Sequence, residues 1–204
     1  MRPLPRIHAF TDPSLLSHPE LGIRAAAIAA AGPAVALHVR ARGLTAALLT
    51  AAAGRLLALA RPPEASVLVS GRSDIAAAVG AHGVQLARQD LMASDARRVL
   101  PHGWIGCSVH NRNEAEAAVQ EGADFLTVGN VYETDTHPGR PAAGLEVVRE
   151  AAMLGLPVIA IGGITPERAA AVRAAGAYGV AAIRALWYAP DPAAATVAML
   201  EPWL

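Results

Sequence analysis

The sequence predicts a single-domain α/β protein, a (β/α)8 TIM barrel spanning residues 1–204. Three observations predict it. Short β-type runs recur at intervals of roughly 20 to 30 residues and alternate with alanine-rich stretches of helical spacing, the order that builds parallel sheets. There are eight such runs, and eight β/α units in 204 residues lie at the lower end of the barrel size range. No Gly-x-Gly-x-x-Gly follows the first run, where an open doubly wound sheet would carry its phosphate-binding turn.

The runs, in order, are Ile7 to Thr11, Ala34 to Val39, Ser66 to Val69, Gly83 to Leu86, Trp104 to Ser108, Phe125 to Gly129, Val158 to Ile161 and Gly179 to Ile183. Between them, Leu44 to Leu59, Asn113 to Glu121, Leu145 to Leu154 and Pro166 to Ala174 place Leu, Val and Ala at helical spacing. Thr165 before Pro166 reads as an N-cap followed by the first helical position.

Composition narrows the function class. Hydrophobic residues make up 53% of the chain but aromatics only 4%, so an aliphatic core is expected. No stretch approaches the roughly 20 apolar residues of a membrane span, and the basic start at Arg2 and Arg6 is not followed by the apolar stretch of a secretory signal. A cytoplasmic protein with no membrane partner is expected. The single cysteine, Cys107, has an apolar flank and reads as a buried structural thiol. Formal net charge is +0 with the arginines dispersed, which lacks the footprint of a nucleic-acid binder and favours a small ligand. There is no lysine, so every basic side chain other than histidine is an arginine. A homodimer is left open.

Barrel active sites form at the C-terminal ends of the strands, and polar residues gather there: Thr11 and Asp12; His38, Arg40 and Arg42; Ser70; Gln85; Ser108 and His110; Asn130, Thr134, Asp135 and His137. Gly162-Gly163 after the seventh run lets the backbone approach an anion closely. A lone Gly-Gly is more often a tight turn, but its place after strand seven favours a phosphate site, shared with Ala182, Ile183 and Arg184 at the end of strand eight. His110 ends strand five and can take and return a proton near neutrality, which makes it the acid/base candidate. Arg40 and Arg42 read equally as an anion clamp or as surface residues. Asp90 follows strand four without a second acid beside it, since strand three ends in Ser70-Gly71.

Ser70-Gly71-Arg72-Ser73-Asp74, Gly83-Val84-Gln85-Leu86, Gly106-Cys107-Ser108-Val109-His110, Val128-Gly129-Asn130 and Ile161-Gly162-Gly163-Ile164-Thr165-Pro166 together resemble the thiamine phosphate synthase/TenI superfamily, in order and over nearly the whole chain. The resemblance implies either of two activities. A synthase joins a hydroxymethylpyrimidine pyrophosphate to a thiazole phosphate using Mg2+, and a TenI-type thiazole tautomerase aromatises a carboxythiazole phosphate.

The departures favour the tautomerase. Synthases carry Asn-Asp where this chain has Ser70-Gly71, and a loop lysine where the run Thr134-Asp135-Thr136-His137 has histidine. Arg42 replaces a synthase lysine and His38 its glutamine, neither of which decides between the two activities, and Arg184 departs from both groups, which carry a serine at strand eight. The Ser-Val-His run of TenI-type proteins maps onto His110, although synthases often carry Ser-x-His as well. The expectation is therefore a tautomerase in which His110 moves the proton, with no cofactor and a phosphorylated thiazole as substrate. His38, Arg40, Arg42, Ser70, Gln85, Ser108, Asn130, Thr134, Thr136 and His137 would surround the ring, and Gly162, Gly163, Ala182, Ile183 and Arg184 would hold the phosphate. Mg2+ at Asp90 enters only under the synthase alternative, and a non-catalytic thiamine-phosphate binder is a further one.

Overall fold

The structure is a computed structural model describing residues 3–40, 43–61, 64–134 and 141–204. Eight parallel strands form a closed barrel in sequence order: β1 (Ile7–Phe10), β2 (Val35–Val39), β3 (Ser66–Ser70), β4 (Gly83–Leu86), β5 (Trp104–Val109), β6 (Phe125–Val128), β7 (Val158–Ile161) and β8 (Gly179–Ala182). The closing pair sets Ile7 against Val180 and Ala9 against Ala182. Each run expected from the sequence is a strand, with ends shifted by at most one residue. The helices are α1 (Pro13–Leu16), α2 (Leu21–Ala29), α3 (Ala46–Ala60), α4 (Ser73–Val79), α5 (Ala93–Val99), α6 (Arg112–Gln120), α7 (Glu146–Ala152), α8 (Pro166–Ala174), α9 (Arg184–Trp187) and α10 (Pro192–Leu200). None of them is long and apolar enough to cross a membrane. Pro166 opens α8 as expected, but Thr165 makes no side-chain cap bond to that helix.

Strand side chains alternate between two buried faces. The outward set, such as Leu37, Val39, Val67, Val69, Val84 and Ile105, packs under the helices as an aliphatic layer. The inward set differs from the aliphatic core expected from composition. Phe10, Leu68, Trp104, Phe125 and Ile159 fill the barrel together with Ala36 and Ala181. Both phenylalanines and Trp104 lie here because the interior has to be filled by few, large side chains, and small residues face them. A Cβ on Gly106 would overlap the Phe125 ring and stand 2.5 Å from Gln85 Oε1. The N-terminal segment closes the lower end: Arg6 lies 3.6 Å over the Tyr178 ring, and the Tyr178 hydroxyl donates to the Leu4 carbonyl at 2.7 Å.

Two fully buried histidines complete the interior. His8 Nε2 bonds the Pro5 carbonyl at 3.1 Å, so that nitrogen carries the proton and Nδ1 accepts. His38 Nε2 therefore donates to His8 Nδ1, at 2.7 Å. Phe10 stacks on His38 with centroids 3.9 Å apart, and Phe125 lies against His8. Burial pushes His8 down to about 4, and burial with the neighbouring His8 pushes His38 well below the ordinary histidine value.

Because the folded pair is neutral while the unfolded histidines titrate near their ordinary value, stability is full above about pH 6.5 and falls as the pH drops towards 4. For His8 the loss is roughly 3 kcal/mol. Urea midpoints measured across this range should fall with acid, and His8→Gln, which keeps an acceptor for His38 and a donor for Pro5, should flatten the slope. An unchanged slope would assign acid lability to other groups.

Candidate active site

Continuing the inward alternation past the last ladder pair brings Arg40, Ala87, His110, Gly129, Ile161 and Ile183 to the barrel mouth, where with Phe10, Ser108 and Thr127 they line a cavity of about 1150 Å³. It opens at the C-terminal strand ends, the functional end of this fold.

His110 sits one residue beyond β5, with its side chain 34% exposed. Its Nδ1 is 3.1 Å from Glu114 Oε2, and its backbone N–H donates to the same oxygen at 2.9 Å. The arrangement follows from local helix chemistry. Asn111 caps α6 by accepting the Glu114 N–H, and Glu114, in the first turn, reaches back over the helix start. Burial opposes the Glu114 charge, but the two hydrogen bonds from His110 and the nearby Arg88 outweigh it and hold the carboxyl below its ordinary range. With Nδ1 donating to that carboxylate, His110 Nε2 is left as an acceptor on a cavity-lining ring.

Ser108 is held from behind. Gln85 Nε2 donates to Ser108 Oγ at 3.0 Å, and Thr127 Oγ1 donates to Gln85 Oε1 at 3.0 Å. Gln85 itself is buried and does not line the cavity. At the opposite side of the barrel, Thr11 Oγ1 accepts the Arg40 N–H at 2.8 Å and donates to its carbonyl at 3.1 Å, which fixes the backbone from which Arg40 enters the site.

The Gly162-Gly163 loop admits no other residue. Both have positive φ, +101 and +63. A Cβ on Gly162 would lie 2.5 Å from that of Asn130, and one on Gly163 2.5 Å from the Glu133 carbonyl oxygen. The loop after β6 is laced to it: the Val131 and Tyr132 N–H groups donate to Ile161 and Gly162 at 2.9 and 3.0 Å. Arg168, from α8, donates to the Gly163 carbonyl at 2.6 Å and lies 4.5 Å over the Tyr132 ring. Gly162, Gly163, Ala182, Ile183 and Arg184 border the same cavity.

Of the residues anticipated at the mouth, Arg40, Ser108, His110, Asn130 and Thr134 line the cavity. Three do not. His38 is fully buried beneath Phe10 and bonded to His8, because its place one step below Arg40 on the inward face is already inside the barrel. Ser70 and Gln85 lie below the lining as well, Gln85 as a support for Ser108. Arg42, Thr136 and His137, with Asp135, lie outside the described residues. The structure adds Phe10, Arg88, Glu114 and Arg168. Glu114 was legible as the last residue of an Asn-x-x-Glu cap, three positions after Asn111, whereas Arg88 and Arg168 carry no motif and reach the site only through their placement.

Fold and cavity define the class, a (β/α)8 barrel with its site at the C-terminal strand ends. Within that class, the chain belongs to the thiamine monophosphate synthase family, whose model matches residues 7–186. A thiamine-phosphate synthase of Thermus thermophilus is 43% identical over 175 residues, 85% of this chain and 84% of the relative. One from Salinispora tropica is 40% identical over 207 residues, 98% of each. The solved thiamine phosphate pyrophosphorylase of Pyrococcus furiosus superposes with a TM-score of 0.82 at 30% identity, covering 98% of this chain and 96% of that one. These relatives overturn the tautomerase reading. That reading weighed a few departures, at Ser70-Gly71 and His137, above similarity extending over most of the chain, and its positive mark, His110, occurs in both groups.

The Mg2+ that the synthase resemblance implies finds no built site here. Among the described residues no three His, Cys, Asp or Glu side chains converge. Asp90 accepts the Ala87 N–H at 2.7 Å and does not line the cavity, and Gly71 stands where a second carboxylate is needed. The described residues do not fit a protein-held Mg2+.

Gly162→Ala should destabilise the fold by roughly 1–3 kcal/mol through overpacking, about 2–4 °C in Tm per kcal/mol. It should also weaken inorganic phosphate binding, both read in one thermal-shift series. A variant with wild-type Tm and phosphate response would show that the loop tolerates a side chain.

Proposed function

We propose that this chain is a thiamine-phosphate synthase, a transferase that joins a hydroxymethylpyrimidine diphosphate to a thiazole phosphate and releases diphosphate. The observation that carries the proposal is a family-wide similarity combined with a cavity that has two anion-binding sides. In the closed strand order β4 stands across the barrel from β8. Arg40 and Arg88 border the cavity from the β2 and β4 side, and Gly162, Gly163 and Ile183 from the β7 and β8 side. Two phosphorylated substrates need two such sides.

On this reading the glycine loop, with Ala182, Ile183 and Arg184, takes the thiazole phosphate, its backbone N–H groups facing the anion without side-chain obstruction. Arg40 and Arg88 take the diphosphate as charged hydrogen-bond donors. Between them, Ser108, fixed by Gln85, and Asn130 and Thr134 bound the space in which the two rings meet. The bond between the pyrimidine methylene and the diphosphate oxygen breaks with its electron pair leaving on the diphosphate. The thiazole nitrogen lone pair forms the new C–N bond and the ring becomes a thiazolium. No proton moves to or from carbon, so the acid/base capacity of His110 is not called upon. His110 serves as a polar wall held by Glu114, and holding the reactants in line is the main contribution of the site.

Supplying both phosphorylated precursors should yield thiamine phosphate and diphosphate in equal amounts. His110→Ala should lower kcat/KM by less than the 10²–10⁴-fold typical of a lost general acid or base. Absence of product with both precursors saturating would overturn the proposal, and a loss beyond that range would return His110 to the chemistry.

A further inference from the structure

The charge around the cavity is distributed in a way that a metal-dependent diphosphate site would not need. A carboxylate at position 71 would stand against Asp90: a Cβ on Gly71 lies 3.1 Å from both Asp90 oxygens. Two carboxylates so close repel each other, so either one of them takes up a proton or a cation stands between them. With glycine there, Asp90 has no such neighbour, and it is satisfied by the Ala87 N–H at 2.7 Å. The electrostatic demand for a divalent ion at this corner is gone.

Positive charge is supplied instead by side chains. Among the described residues, Arg40, Arg88, Arg168 and Arg184 border the cavity, against two acids, Glu114 and Glu133. Glu114 is already engaged by the N–H and ring of His110, and Arg168 is tied to the Gly163 carbonyl. Arg88 is different. Its side chain is 85% exposed, and its ion pair with Glu114 is loose, at 4.0 Å. It is the second residue after β4 and two residues before Asp90, so its guanidinium rises from the same loop that would otherwise hold the metal. A planar guanidinium presents paired donors that match two phosphate oxygens, and it keeps its charge at any working pH.

We propose that Arg88 is a diphosphate-binding residue which, with the other arginines of the cavity, supplies the charge neutralisation otherwise provided by a metal, so that diphosphate binds this site without a divalent cation. The inference rests on the synthase reading for the identity of the anion.

The test is calorimetric titration of the full chain with inorganic pyrophosphate, in excess EDTA and in saturating Mg2+. Kd should agree between the two conditions to within about threefold, less than 1 kcal/mol. Arg88→Gln should weaken binding by about ten- to a hundredfold, the range of a lost charged hydrogen bond, with an unchanged Tm because the side chain is exposed. Gly71→Asp should create a dependence on Mg2+, binding poorly in EDTA and recovering when the ion is added. Wild-type binding that collapses in EDTA would overturn the proposal, as would Arg88→Gln binding like the wild type. A Gly71→Asp variant indifferent to Mg2+ would remove the missing carboxylate as its cause. Thiamine phosphate made only with Mg2+ would sink this inference and leave the synthase standing. Metal-free pyrophosphate binding without product under either condition would do the reverse.

Discussion

Closing eight parallel strands on themselves sends every second side chain into one narrow interior, and the rest of this molecule depends on how that interior is filled. Phe125, Trp104 and Phe10 fit because glycine or alanine faces them at positions such as Gly106, Ala36 and Ala181. The same alternation that fills the core delivers the site. One step beyond the packed layers, inward positions become cavity positions, and Arg40, His110 and Ile183 stand at the mouth because His38, Ser108 and Ala181 stand below them. Packing and function here are successive rungs of one ladder.

Burial inside such a barrel leaves polar side chains few partners, and His38 Nδ1 has none among the described residues. His8 and His38 satisfy each other and the Pro5 carbonyl only as one pair of neutral tautomers, and Gln85 bonds outward to Ser108 and Thr127. Those contacts hold the floor of the cavity still. On the proposed function the mouth follows another rule, since it would receive anions from water. It would do so with arginines and a glycine loop laced to its neighbour by backbone hydrogen bonds. A rigid floor beneath a cationic rim suits a condensation in which alignment and charge neutralisation matter more than proton transfer.

The departures that drew the sequence reading towards a tautomerase have a local physical meaning. Ser70-Gly71 and Asp90 belong to one corner of the barrel, and on the proposed reading the absence of an acid at Gly71 bears on how an anion is neutralised there and not on which rings the cavity takes. His38 was expected at the rim because a basic residue two positions before Arg40 shares its face. Periodicity gives the face of a strand but not the depth, and His38 proves to be core.

The sequence by itself determined the eight strands almost to the residue, the position of the glycine loop and the place of His110 at a strand end, because period-two burial, turn-forming glycines and helix caps are local and leave direct traces. It could not determine how deep an inward residue lies, which arginines converge, or that Gln85 and Glu114 act by holding Ser108 and His110. Those were decided by the register of strand against strand and by loops brought together across the closed barrel, distances that no local pattern encodes.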